Sequence, residues 1–238
     1  MKNINHQEKY WIKSKVIKSY IKDNSKFDNK LSISAWKLIL KKTKNLKSIL
    51  ECGSNIGKNV EILKKINKNF KISIIEINPI AYKIIINKFS LDKKFNGLIT
   101  ENNFEKNSFD LVFTMGVLIH IKPDHLLDNM KKIFSMSKKY ILIGEYFNKT
   151  PVSIKYRNKQ DLLFKNDFGK IFLENFKVKL LDYGFLWGKI YDTAGFDDVT
   201  WWLFEKKKLN INFLFKIFAN FKLGYYFIIF NKKQFFVE

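Results

Sequence analysis

From Leu46 onward, short apolar runs alternate with segments whose apolar residues recur at helical spacing. Leu46–Cys52 predicts a strand that ends in a glycine-containing turn, and Gly57–Ile66 a helix. Lys71–Ile77 predicts a second strand, followed by Pro79, which suits the first turn of a helix. Leu98–Thr100 reads as a short third strand and Phe109–Met115 as a fourth. Pro123–Ser137 reads as a helix with Leu126, Leu127 and Met130 on one side, and Tyr140–Tyr146 as a fifth strand. Strands alternating with helices predict an α/β domain with a mostly parallel sheet and right-handed crossovers. Uninterrupted runs such as Ile72-Ser73-Ile74-Ile75 fit strands buried on both faces.

The flanks differ. Residues 1–45 read as helical, with Trp11, Val16 and Tyr20 on one face and Trp36, Ile39 and Leu40 on another, separated by the polar stretch Lys22–Lys30. They precede the first strand and are expected to cap the sheet. After Tyr146, Asn148–Asp161 shows no clear period. Phe164–Asn175 reads as a helix, and Lys177–Phe185 and Thr200–Lys206 as two final strands, antiparallel in expectation. In Ile211–Leu223, polar Asn212, Lys216 and Asn220 recur every four residues among phenylalanines, which predicts a mostly apolar helix ended by Gly224; Tyr225–Phe230 reads as a further strand. The organisation expected is a helical cap (1–45), a core (46–206) and an aromatic C-terminal extension (207–238).

Hydrophobic residues make up 46% of the 238, which suits one globular core and argues against disorder. The net charge of +22 points first to nucleic acid, but its 44 basic residues are 43 lysines and Arg157 alone. Phosphate readers use the planar fork of arginine, so the charge reads mainly as a solvated lysine coat, and nucleic acid is not the expected partner. The single cysteine, Cys52, excludes an intramolecular disulfide and suits a reducing cytoplasm. No secretory leader is evident before Lys22. Lys216 and Lys222 argue against a membrane span, although the extension suits a homodimer contact or a membrane surface.

The sharpest chemical signal is Glu51-Cys52-Gly53-Ser54-Asn55-Ile56-Gly57, which joins the first strand to its helix. Glycines let a ligand approach the main chain, and the helix behind them presents free N–H groups. Glu76, at the end of the second strand, is placed to accept both ribose hydroxyls of an adenosine. Dinucleotide sites want G-x-G-x-x-G for a pyrophosphate. The G-x-N-x-G found here offers a side-chain amide at Asn55, which suits the amino-acid portion of S-adenosylmethionine.

Phe109-Asp110-Leu111-Val112-Phe113-Thr114-Met115-Gly116-Val117-Leu118-Ile119-His120-Ile121 resembles the corresponding motif of class I S-adenosylmethionine-dependent methyltransferases. More narrowly, Gln7-Glu8-Lys9-Tyr10-Trp11, Glu51–Gly57, Glu76-Ile77-Asn78-Pro79, Tyr140–Tyr146 with Phe147-Asn148, and Asp182-Tyr183-Gly184-Phe185 resemble the bacterial methylases associated with pseudaminic acid biosynthesis. The resemblance spans about Gln7 to Lys206 and leaves out the aromatic extension. It implies a Rossmann-like seven-stranded sheet with the last strand antiparallel. It also implies a substrate among the nonulosonic acids, acidic nine-carbon sugars of flagellins and surface glycans, free or nucleotide-activated.

Candidate cofactor contacts are Glu51, Gly53, Asn55, Gly57, Glu76 and Ile77, with Asn102, Thr114 and Met115 beyond them. Methyl transfer from a sulfonium needs an aligned acceptor, exclusion of water and, for a hydroxyl acceptor, a base. At the carboxyl ends of the strands, His120 is the candidate base near neutral pH, Glu145 a second proton acceptor, and Tyr146 a ring for the sulfonium to pack on. Asn148, Tyr156 and Arg157 are candidates for substrate binding, Arg157 because a guanidinium meets a carboxylate with two parallel hydrogen bonds. His125 is expected on a helix surface, and no residues have metal-ligand spacing. Alternatives are methylation of RNA or protein, against which no N-P-P-Tyr-like tetrad follows the fourth strand, and a non-catalytic cofactor-binding module that associates through its tail.

Overall fold

The computed structural model describes residues 6–13, 15, 17 and 28–207, and those up to Lys206 form one compact unit. Helix α1 (His6–Trp11) is followed by α2 (Asn29–Leu40), started by Asp28, whose carboxylate accepts the N–H groups of Lys30 and Leu31. The inward face of α2 carries Ser32, Ala35, Trp36 and Ile39, at spacings of three and four. Next come β1 (Ser48–Cys52), α3 (Lys58–Ile66), β2 (Lys71–Glu76), α4 (Pro79–Lys88) and β3 (Lys94–Asn96). Asn78 caps α4 and Pro79 opens it, as its fixed φ and missing donor favour. Strand β4 (Phe109–Met115) leads through a 3₁₀ turn, Leu118–His120, into α5 (Pro123–Met136) and β5 (Ser137–Glu145). A hairpin of β6 (Val152–Tyr156) and β7 (Lys159–Lys165) precedes α6 (Phe168–Asn175) and β8 (Val178–Leu186). The short α7 (Gly188–Tyr191), a 3₁₀ turn and β9 (Val199–Lys206) complete the unit.

Seven strands form one sheet in the order β3-β2-β1-β4-β5-β9-β8. The first five are parallel, and β9 runs antiparallel to both of its neighbours. The protein therefore has the Rossmann-like α/β architecture expected from the sequence. Two apolar layers sandwich the sheet. One gathers Trp36, Phe113, Leu142 and Trp201 with α2 and α3; the other gathers Val112, Ile143, Phe172 and Phe204 with α5 and α6.

Three sequence expectations need correction. The third strand is Lys94–Asn96 and not Leu98–Thr100, which is a turn whose Ile99 is apolar because it packs into the core. The segment Asn148–Asp161 is not irregular but contains most of the hairpin. Its turn, Arg157-Asn158, has both residues at positive φ (48° and 60°) between the paired Tyr156 and Lys159, as a two-residue hairpin loop requires. The helix expected from Phe164 starts at Phe168, capped by Asp167, because Phe164 still belongs to β7. Val16, Tyr20, and the helix and strand expected within 211–230 lie outside the described residues. No described helix is long and apolar enough to cross a membrane.

Candidate active site

A cavity of about 650 Å³ opens at the carboxyl ends of β1, β2 and β4. Its volume lies within the range of about 300–1,000 Å³ typical of small-molecule sites. Strand order reverses between β1 and β4, and open α/β sheets bind ligands at such a crevice.

The turn after β1 makes one wall. Gly53 sits at φ 81°, and a Cβ there would overlap the side chain of Val117. Asn55 (φ 49°) and Gly57 (φ 83°) complete the reversal, and α3 starts immediately after. Glu51 is buried: its Oε1 accepts a hydrogen bond from Asn59 Nδ2 (2.7 Å), and its Oε2 has no partner. Burial pushes its pKa up to about 8, the Asn59 hydrogen bond opposes this, and the charge of Glu76 adds to it. Glu76, also buried, accepts the Asn55 N–H at Oε2 (2.6 Å) and the Asn78 N–H at Oε1 (2.7 Å). Burial raises its pKa to about 6 against those backbone hydrogen bonds. Asn55 Oδ1 is a second buried acceptor without a partner. Lys58 lines the same wall, and burial lowers its pKa to about 8, opposed by Glu61.

Met115, Gly116 and Val117 form the β4 side, and Gly116 (φ 67°) borders open space. Helix α1 crosses the top. Its Trp11 and the following Lys13 offer carbonyls to Asn78 Nδ2 (2.6 and 3.5 Å), and Gln7 Nε2 donates to the carbonyl of Asp161 on the hairpin (2.6 Å). The Trp11 ring lies 4.2 Å from that of His120, which lies 5.5 Å from Tyr156. His120 Nδ1 is 2.7 Å from the Leu162 carbonyl. A carbonyl only accepts, so Nδ1 carries the proton and Nε2 keeps a free lone pair.

Among the proposed site residues, Glu51, Gly53, Asn55, Glu76, Ile77, Met115, His120, Tyr146 and Tyr156 line the cavity together. His125 lines it too, from an exposed position on α5. Gly57, Asn102, Thr114, Glu145, Asn148 and Arg157 do not. Gly57 turns the chain into α3, while Asn102 closes its own loop through the Ile99 carbonyl and the Phe104 N–H. Thr114 is fully buried within β4. Asn148 donates to the Thr150 carbonyl (2.6 Å), and Arg157 stands at the hairpin turn with its Nε donating to the hydroxyl of Tyr156 (3.2 Å).

The chemistry of two candidates also needs correction. His120 does not titrate near neutrality. Burial lowers its pKa to about 4, the Leu162 carbonyl opposing and the Arg157 charge reinforcing, so it is a neutral hydrogen-bond acceptor at physiological pH. Glu145 is completely buried, and its two oxygens accept the N–H groups of Val117 and Ile119 (3.2 Å each). It fastens the turn after β4 to β5 and does not meet the cavity. Burial raises its pKa to about 7 in spite of these bonds.

Sequence reasoning missed Asn59, Trp11 and the far wall of Phe196, Asp197 and Val199. Asn59 stands four residues after Asn55, the one-turn spacing that could have pointed to it. Nothing local marks the wall before β9, which depends on β9 running antiparallel beside β5. Among the described residues no group of histidine, cysteine or carboxylate side chains is arranged to hold a metal.

No family model and no curated protein matches the sequence. Solved structures do match its fold. Magnesium protoporphyrin IX methyltransferase from Synechocystis PCC 6803, with bound S-adenosylmethionine, superposes with a TM-score of 0.61 at 10% identity, over 87% of this chain and 100% of that one. A Burkholderia thailandensis 1,6-didemethyltoxoflavin N1-methyltransferase, with its substrate and S-adenosylhomocysteine, gives 0.56 at 12% identity, over 76% and 78%. The fold is that of class I S-adenosylmethionine-dependent methyltransferases. The [4+2]-cyclase SpnF shares it as well, with a TM-score of 0.52 at 14% identity over 75% of this chain and 80% of that one, so the reaction has to be argued from the site.

Proposed function

We propose that this protein is an S-adenosylmethionine-dependent methyltransferase acting on a small acidic acceptor, a nonulosonic acid or its nucleotide-activated form. The observation that carries the cofactor assignment is the pair of buried carboxylates, Glu51 and Glu76, on either side of the glycine turn, with Glu51 Oε2 unpartnered. An isolated buried carboxylate is costly, and a cation relieves that cost. The ammonium of an adenosyl amino acid fits Glu51, with Lys58 on the same wall for its carboxylate. Glu76 accepts the Asn55 N–H at Oε2 and the Asn78 N–H at Oε1, with Ile77 adding a further backbone hydrogen bond, and a remaining lone pair is open to a ribose hydroxyl. The cofactor supplies a methyl group on a sulfonium.

The rest falls to the protein. Helix α1 and the Asp192–Asp197 stretch exclude water, and His120 Nε2 orients a donor group of the acceptor without taking up a proton. The acidic acceptor is supported by two cations that stand against the tyrosines of the wall without themselves lining the cavity: Lys165 lies 5.5 Å from the ring centroid of Tyr146, and Arg157 5.5 Å from that of Tyr156. The narrower choice of a nonulosonic acid rests on the sequence resemblance. Asp192 and Asp197 also line the cavity and favour an amine as the atom methylated. Incubation with S-adenosylmethionine and nonulosonic acids, free and nucleotide-activated, followed by mass spectrometry, tests the proposal. Gain of one methyl mass on the sugar is expected. Transfer only to RNA or protein would overturn the substrate assignment.

A further inference from the structure

The free side of Glu51 depends on Asn59 in the cavity wall and, through it, on Trp36, which does not line the cavity. Asn59, in the first turn of α3, has two partners: its Nδ2 donates to Glu51 Oε1 (2.7 Å), and its Oδ1 accepts from Trp36 Nε1 on α2 (3.2 Å). An indole N–H can only donate. It therefore fixes the carboxamide with oxygen toward Trp36 and nitrogen toward Glu51. Without it the amide could flip and turn its oxygen on the carboxylate. Trp36 is fully buried and packed edge-on to Phe113, 5.0 Å between centroids, so its N–H is held in place by the core.

We propose that Trp36 is a positioning residue for the cofactor: through Asn59 it fixes the Glu51 carboxyl by Oε1 and leaves Oε2 for the ligand's ammonium. The inference rests on the cofactor assignment above and goes beyond it, since neither Trp36 nor Asn59 need touch the ligand for the relay to work. The charged groups around Glu51 are Glu76 from β2, Lys58 from α3, and Asp192 and Asp197 from the connection before β9.

The sign follows from the donor. An N–H bonded to Glu51 favours its ionised form, the form a cation needs, so loss of the relay makes Glu51 harder to ionise. The test is calorimetric titration of the intact protein with S-adenosylhomocysteine from pH 6.5 to 8.5, in buffers of different ionisation enthalpy that count the protons released. Trp36→Phe keeps an aromatic ring in the core, and Asn59→Ala spares the core altogether. In both, the acid limb of the binding profile, set by Glu51, should move up by about one unit, the scale of a hydrogen bond to a charged group, while the alkaline limb set by the ligand's own amine stays fixed, with more proton release near pH 8 than in the wild type. The double variant should shift no further than Asn59→Ala alone, because both act through one amide. A uniformly weaker but unshifted pH profile, or additive shifts, would overturn the relay and leave the cofactor assignment standing. A wild type that binds no S-adenosylhomocysteine would overturn both.

Discussion

Glu145 separates what a residue type suggests from what its surroundings allow. At a strand end beside a candidate histidine it reads as a proton acceptor, yet in the fold it is a buried clasp for the backbone of Val117 and Ile119. Its pKa is raised to about 7 by burial, above the ordinary 4.5. A folded pKa above the unfolded one means that the folded state holds the proton more tightly. The resulting stability is fully present below pH 4.5 and is lost as pH rises through about 7. Glu145→Gln should therefore flatten the fall in thermal midpoint between pH 5 and 8, and equal slopes in variant and wild type would refute this. Glu76 belongs to the opposite case, a residue whose place in the cavity wall is legible from the end of an apolar strand and whose ribose role is a proposal. Glu76→Ala should weaken S-adenosylhomocysteine binding roughly tenfold, the scale of about 1.5 kcal/mol for hydrogen bonds to a charged group, and unchanged affinity by calorimetry would remove it from the ribose role. Arg157 was singled out as the lone arginine, but what the fold reveals is a turn residue with positive φ beside Tyr156. With Arg157→Lys, acceptor KM should rise several-fold while cofactor affinity stays the same, since charge is kept and the fork is lost. Wild-type kinetics in both Arg157→Lys and Arg157→Ala would end its assignment to the substrate.

At the scale of elements, legibility followed burial. Strands β1, β2, β4 and β5 lie inside the sheet with helices on both faces, so their apolar runs are continuous and their positions could be read to within a few residues. Strand β3 is three residues at the sheet edge, Lys-Phe-Asn, with no apolar run to announce it. The hairpin is more instructive. Val152-Ser153-Ile154-Lys155-Tyr156 does alternate with period two, but its turn is Arg-Asn and contains no glycine. The usual Asn-Gly or Asp-Gly signal is missing, and five alternating residues without it do not announce a hairpin. The hairpin supplies the Leu162 carbonyl to His120 and brings Tyr156 to the cavity, while Phe147 and Asn166 at its base are already bridged. Replacing residues 149–165 by a short glycine-containing loop should thus keep the sheet and cofactor binding and abolish transfer to the acceptor. Loss of S-adenosylhomocysteine binding together with transfer would show that the hairpin serves the fold and not the acceptor.

The whole molecule combines a common sheet with an uncommon surface. A net charge of +22 carried almost entirely by lysine leaves little sign of the ligand, whereas the cavity is lined by five carboxylates, Glu8, Glu51, Glu76, Asp192 and Asp197. Four of these, Glu51 and Glu76 at the cofactor turn and Asp192 and Asp197 on the far wall, are brought together by topology, because crossing from β1 to β4 and bringing β9 back beside β5 gathers residues that are far apart in the chain. This is why the turn after β1 and the end of β2, which are contiguous motifs, are legible as cavity wall in the sequence, and the wall before β9 is not. The central claim is that the cavity holds S-adenosylmethionine through Glu51 and Glu76. Isothermal titration of the purified protein with S-adenosylmethionine at pH 7 and pH 8 tests it most directly. Cationic ligand and ionised Glu51 belong together, and Glu51 ionises only near pH 8. One site per chain and net proton release at pH 7, where the ligand's α-ammonium is still largely intact, are the predicted results, the release falling towards pH 8 as the ligand's own amine deprotonates. Folded protein that takes up no S-adenosylmethionine at millimolar concentration would contradict the account.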